Sequence, residues 1–135
     1  MNCIFCKIIN KEIQAKIVYE DDKVIAFLDN NPNTNGHTLI IPKQHFKDLY
    51  DININVLTRI HKVARILMNH YNKTLMPTGY TLAQNNGSAG EVKHYHLHLI
   101  PRYDNDLLDH IYNKGAISRL DDVVSNIKKV ELIYE

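Results

Sequence analysis

The sequence has no strong charge of either sign, no long apolar run, no internal repeat and only two cysteines, and each lack removes a class of protein. Sixteen Lys and Arg stand against fifteen Asp and Glu, a formal charge of +1. No broad positive field is available to hold nucleic acid, and none is expected as a partner. No apolar stretch approaches the roughly 18 residues of a spanning helix, and the opening MNCIFCKII carries no basic segment ahead of a secretory apolar core. A cytoplasmic chain, away from the membrane, is the expectation. Cys3 and Cys6 stand too close in sequence for a disulfide that closes a useful loop, which leaves metal binding or redox chemistry for them. With 44% hydrophobic and 23% charged residues over 135 positions, the composition is that of one domain with a real core.

What is present reads as sheet with two helices. IVYEDDKVIAFLD predicts a hairpin, with strands at 17–20 and 23–29 around Asp21 and Asp22. NNPNTNG is a loop, and HTLIIP is a buried strand stopped by Pro42. From 55 to 72 the apolar residues Val56, Leu57, Ile60, Val63, Ala64, Leu67 and Tyr71 recur at three and four residues, which predicts an amphipathic helix. GYTLAQN and HYHLHLIP are two more strands separated by the turn NGSAGE, and 118–129 predicts a final helix capped by Ser118. The fold class is α+β: an antiparallel sheet of about five strands, one long helix and a shorter C-terminal one.

Two clusters carry chemistry. Successive strand side chains alternate faces, so His94, His96 and His98 share one face of their strand while Tyr95, Leu97 and Leu99 share the other. Three imidazoles in a row beside a Gly-containing turn suit either a three-histidine metal site with an open position or a phosphate site with a histidine nucleophile. Cys3 and Cys6 form CxxC, and two thiolates with two imidazoles complete a tetrahedral zinc site. His45, just past the strand end in IIPKQH, and His94 are the candidates for the other two ligands. Free thiols in a mobile N-terminus are the alternative.

CIFCKII, VIAFLDNNPNTNGHTLIIPKQH, QNNG and HYHLHLIPR, in that order, make the chain resemble the histidine triad (HIT) superfamily, most of all its Hint-like and bacterial Hit branch. The resemblance implies a single HIT domain over 1–135, with 103–135 as a C-terminal extension packing on the domain or on a dimer partner. It implies hydrolysis or transfer at the α-phosphate of purine nucleoside phosphoramidates or related nucleotidyl conjugates, through a covalent nucleotidyl intermediate on His96. In that scheme His98 and His37 hold the phosphate oxygens and help protonate the leaving group, and Asn85 contacts the phosphate region. Asp29 accepts from the ribose hydroxyls, and Ile4, Phe5, Ile8 and Phe27 lie against the base of an adenosine or guanosine conjugate. A structural Zn2+ is implied at Cys3, Cys6, His45 and His94, and so is a homodimer. A dinucleoside polyphosphate hydrolase, or a nucleotide-binding regulator with little turnover, are the alternatives. The turn before the triad departs from the family pattern: SAGEVK is shorter, lacks the usual glutamine and has Glu91 in place of a serine, so Glu91 is given no catalytic role. His61, His70 and His110 are expected at the surface, and Arg102 and Tyr103 at the rim of the site.

Overall fold

The computed structural model describes residues 2–90, 92–108 and 114–133. Expectations attached to Glu91 and His110 lie outside the described residues. Five strands, β1 (Ile17–Glu20), β2 (Val24–Leu28), β3 (Thr38–Pro42), β4 (Gly79–Ala83) and β5 (Leu97–Arg102), form one antiparallel sheet of order β1-β2-β3-β5-β4. Among the described residues three α-helices accompany it: α1 (Ile4–Ile9), α2 (Ile54–Thr74) and α3 (Leu120–Lys128). No helix among the described residues is long and apolar enough to cross a membrane.

The alternation of strand side chains sorts the core into two layers. Val24, Ala26, Ile40, Leu97 and Leu99 face α2, whose Ile60, Val63, Ala64, Leu67 and Tyr71 are buried against them. Asn53 starts α2 by accepting from the backbone N–H groups of Asn55 and Val56, so orphan donors of the first turn are satisfied. Thr38, fully buried on this face, is paired with the Tyr71 hydroxyl at 2.7 Å. The opposite layer holds Ile25, Phe27, Leu39 and Ile41, covered by Phe5 and Ile8 of α1. The histidines stand on this second face.

The hairpin turns where expected, because Asp21 accepts from the backbone of Lys23 and Val24 and also receives the Arg59 guanidinium at 2.7 Å, which ties the turn to α2. That guanidinium belongs to a set of hydrogen bonds, with the Lys23 and Val24 backbone and Tyr19, that holds the Asp21 carboxyl down to about 2 against the cost of its burial. Gly36 turns the chain into β3 at φ +91°, a conformation that favours glycine, and a Cβ there would also displace Leu75 Cδ1, 2.5 Å away.

Three boundaries differ from the sequence reading. The N-terminus is helical over Ile4–Ile9, with the Cys3 sulfur capping it by accepting from Cys6 N. The triad strand begins at Leu97, not at His94. Pro42 has no N–H, so the ladder between β3 and β5, in which Ile40 pairs with Leu97, has no donor to continue with at the next pair of this spacing. Tyr95 N–H instead bonds Phe46 O at 2.7 Å. The last helix starts at Leu120 with Arg119 at its cap position and no side-chain cap bond, so Ser118 plays no such part. Arg102, the last residue of β5, binds Asp106 and the Leu108 carbonyl, and the Tyr103 hydroxyl donates to Asn35 O, so the start of the extension is anchored to the sheet end. Residues 115–133 are exposed throughout.

Candidate functional site

His94 comes first along the row and is fully buried. Its Nε2–H donates to the Pro42 carbonyl at 2.9 Å, which leaves Nδ1 as a lone pair. That nitrogen lies 3.4 Å from Cys3 Sγ, 3.6 Å from Cys6 Sγ and 3.1 Å from His45 Nδ1, and Cys6 Sγ lies 3.4 Å from His45 Nδ1. All four ligand atoms fall within 4.8 Å of one another. A tetrahedral ion with zinc-type bond lengths has ligand-to-ligand edges of about 3.3–3.8 Å, so the donor set and its spacing fit such an ion. Burial holds His94 down to about 4, against the opposing pull of its bond to Pro42, so the ring is neutral as a ligand must be. Without an ion, burial and the neighbouring Cys3 push the Cys6 thiol up to about 11. The free-thiol alternative would leave a buried and a half-buried thiol facing two imidazoles, with the Cys6 backbone N–H on Cys3 Sγ.

His96 uses the same atom differently. Its Nδ1–H donates to the His94 carbonyl at 2.8 Å, so Nε2 is the unprotonated nitrogen. Phe5 meets both rings edge-on, with centroids 5.9 Å from His94 and 5.2 Å from His96, and so fixes them relative to α1.

His98 and His37 form a chain of tautomers. The backbone N–H of Asn33 donates to His37 Nδ1 at 3.0 Å, so His37 carries its proton on Nε2. That Nε2 lies 2.9 Å from His98 Nδ1, which must accept, and His98 is left with a donating Nε2–H. Burial and the nearby His96 and His37 rings hold His98 down to about 4, and burial lowers His37 against the pull of Asp29. Both rings are neutral near pH 7. Asp29 Oδ2 stands 3.6 Å from His37 Nε2, while its Oδ1 accepts from Asn31 N.

A cavity of about 420 Å3 lies along this row, lined by Ile4, Phe5, Asp29, Leu39, Asn85, Ala89, Val92, His96 and His98. Its volume suits a small ligand. The sequence placed Ile4, Phe5, Asp29, Asn85, His96 and His98 together, and they meet here. Ile8 and Phe27 do not line it: both pack beneath, in the apolar cluster with Phe5 and Leu39. Ile8 reaches instead a separate cavity of about 390 Å3 beside Asn30. His37 acts on the cavity through His98. His61 and His70 are exposed on α2, as expected. Leu39, Ala89 and Val92 were not anticipated. Leu39 shares its strand face with Ile41, a signal that alternation carries, whereas Ala89 and Val92 reach the cavity by the path of a turn. Because His94 turns its lone pair to the sulfurs while His96 turns Nδ1 to a carbonyl, the three triad rings do not converge on one ion; among the described residues, no metal-binding group contains all three.

The model of the HIT domain matches residues 10–105. The chain is 43% identical over 134 residues to an uncharacterized HIT-like protein of Methanocaldococcus jannaschii, a match that covers 93% of this chain and 98% of that one. It is 43% identical over 104 residues to an adenosine 5′-monophosphoramidase of Saccharomyces cerevisiae, covering 76% of this chain and 63% of the relative. Among solved structures, a HIT family protein from Bacillus anthracis superposes with a TM-score of 0.79 at 39% identity, over 93% of this chain and 94% of that one. A zinc-bound histidine triad family protein from Mycobacterium smegmatis superposes with a TM-score of 0.77 at 34% identity, over 84% of each.

Proposed function

The chain belongs to the HIT domain family, and on that premise we propose that it is a nucleotidyl hydrolase acting at the α-phosphorus of purine nucleoside phosphoramidates or related conjugates. The reading is carried by one observation: the Nδ1–H of His96 is held by a carbonyl at 2.8 Å, so that in the neutral ring Nε2 is the nitrogen available as a nucleophile. His96 Nε2 attacks the α-phosphorus, an N–P bond forms, and the bond to the leaving group breaks. Water then attacks the same phosphorus, the N–P bond breaks, and the nucleoside monophosphate is released. The Nε2–H of His98, set by His37, donates to a phosphate oxygen or to the departing group, where developing charge needs a preorganised donor. Asn85 contacts the phosphate, Asp29 accepts from the ribose hydroxyls, and Ile4 and Phe5 lie against the base with Ile8 and Phe27 as backing.

Cys3, Cys6, His45 and His94 hold a zinc ion in this reading, which is supported by their spacing, by the neutral His94 and by the zinc-bound relative. The ion ties α1 to the start of the triad and takes no part in the reaction. A homodimer is supported by β4, an edge strand of the sheet whose outer side pairs with no strand among the described residues, as pairing across a two-fold axis requires.

The test is incubation with adenosine 5′-phosphoramidate, followed by a non-acidic quench and measurement of both free monophosphate and added mass on the peptide containing His96. Release together with an adduct on His96 is expected. Tight binding with neither would sink the hydrolase reading and favour a nucleotide-binding regulator.

A further inference from the structure

The segment 29–37, between β2 and β3, ends in His37. Its Asn30, Asn31, Pro32, Asn33 and Asn35 are exposed, so hydrogen bonds rather than packing set its path. Two of these bonds are internal: His37 N–H donates to Thr34 O at 3.1 Å, and Asp29 N–H donates to His37 O at 2.9 Å. Two others leave the segment. The Thr34 hydroxyl donates to Pro101 O at 2.7 Å, and the Tyr103 hydroxyl donates to Asn35 O at 2.7 Å. Pro101 and Tyr103 flank Arg102 at the end of β5, the strand that carries His98.

The histidine rings do not need these two bonds for their placement. Thr38, next to His37, pairs with Leu99, next to His98, so the sheet itself brings His37 Nε2 to 2.9 Å from His98 Nδ1. What the sheet does not fix is where the proton sits. That depends on the backbone N–H of Asn33, which donates to His37 Nδ1 at 3.0 Å and belongs to the residue just before Thr34. Once that N–H swings away, His37 is free to carry its proton on Nδ1. Its Nε2 then presents a lone pair, His98 must donate from Nδ1 to meet it, and the Nε2 of His98 is left bare. The donor to the phosphate oxygen or the departing group is lost without either ring moving.

We propose that Thr34 and Tyr103 are positioning residues for the pair of His37 and His98: their hydroxyls clamp segment 29–37 to the end of β5, hold the Asn33 N–H on His37 Nδ1 and so keep the proton of His98 on Nε2. Neither residue lines the catalytic cavity, so each acts through His37. The effect on turnover rests on the proposed function, whereas the tautomers do not depend on it.

The experiment reads the tautomers directly, by long-range 1H–15N correlation spectra of the full chain labelled with 15N-histidine. His37→Gln and His98→Asn assign the ring signals. Wild type is expected to show Nε2–H on both rings. Thr34→Val combined with Tyr103→Phe should bring an Nδ1–H form to both, while thermal unfolding confirms that the variant folds. Its kcat on adenosine 5′-phosphoramidate should fall about tenfold, a fraction of what a positioned general acid supplies, with affinity for adenosine monophosphate changing less than kcat. Thr34→Ser, which keeps the hydroxyl, should retain both the wild-type signals and the wild-type rate, and its contrast with Thr34→Val reads one clamp alone if the double variant does not fold. Unchanged ring signals in a folded double variant overturn the positioning role, whatever happens to turnover. Altered signals with an unchanged kcat overturn it as well. Altered signals in a protein whose wild type neither turns over nor forms an adduct on His96 overturn the hydrolase reading and leave the clamp standing.

Discussion

His94 and His96 lie two residues apart on one stretch of chain, both buried and both touched edge-on by Phe5, yet they present opposite nitrogens. His94 gives its Nε2–H to Pro42 and turns a bare Nδ1 to two sulfurs; His96 gives its Nδ1–H to the His94 carbonyl and keeps Nε2 bare. In the proposed function the same side chain is thus a ligand in one position and a nucleophile in the next. What separates them is which nitrogen meets a carbonyl, the kind of outer hydrogen bond that fixes an imidazole's tautomer.

The comparison is broken most severely at His96. His96→Ala is expected to lower single-turnover hydrolysis on the order of 10^4-fold or more, as removal of a covalent nucleophile does, while adenosine monophosphate still binds by calorimetry. Near wild-type turnover would end the nucleophile assignment. At the other ring, Cys6→Ser is expected to remove bound zinc and to lower unfolding free energy by about 3 kcal/mol or more, read from metal content and denaturant titration. Retention of one zinc per chain would overturn the four-ligand site.

A pH series sharpens the contrast at the third ring. His98 sits at about 4 in the folded chain, against roughly 6.5 for an unfolded histidine. The unfolded state therefore takes up this proton first, and the stability it carries is complete above about pH 6.5 and is lost as pH falls toward 4. The melting temperature should drop over that window, and His98→Asn should flatten the slope. A variant slope equal to the wild type would exclude His98 as the source. The smallest effect is reserved for a bystander: His61→Gln, exposed on α2, should leave stability within about 0.5 kcal/mol and turnover unchanged.

Much of this was legible in residue order. Period-two alternation separated the histidines from Tyr95, Leu97 and Leu99, and the helical spacing of Ile60, Val63, Leu67 and Tyr71 gave the packed face of α2. CxxC with two candidate histidines gave the four-ligand set. Other features depend on partners distant in the chain. The late start of β5 follows from a missing N–H on Pro42, in the facing strand. Helix α1 spans only six residues, too few for a periodic signal, and is capped by a sulfur rather than a hydroxyl or carboxamide. Ile8 and Phe27 have the character of pocket residues, but Phe5 lies between Phe27 and the histidines, its ring 5.6 Å from Phe27 and 5.2 Å from His96, so they support the wall instead of forming it. Val92 gave no signal, because it reaches the cavity from the turn before the triad rather than from a patterned element.

The contact between Cys3 and His94 spans 91 positions and encloses β1, β2, β3, α2 and β4 in a single loop. The entropy of closing a loop rises only slowly with its length, so one clasp at these positions restrains nearly the whole sheet for little more than a short clasp would cost. It also sets an order of events during synthesis. Ile4 and Phe5 emerge well before the triad histidines they touch, so the nascent chain has neither the four grouped side chains nor a lined cavity until the triad has left the ribosome.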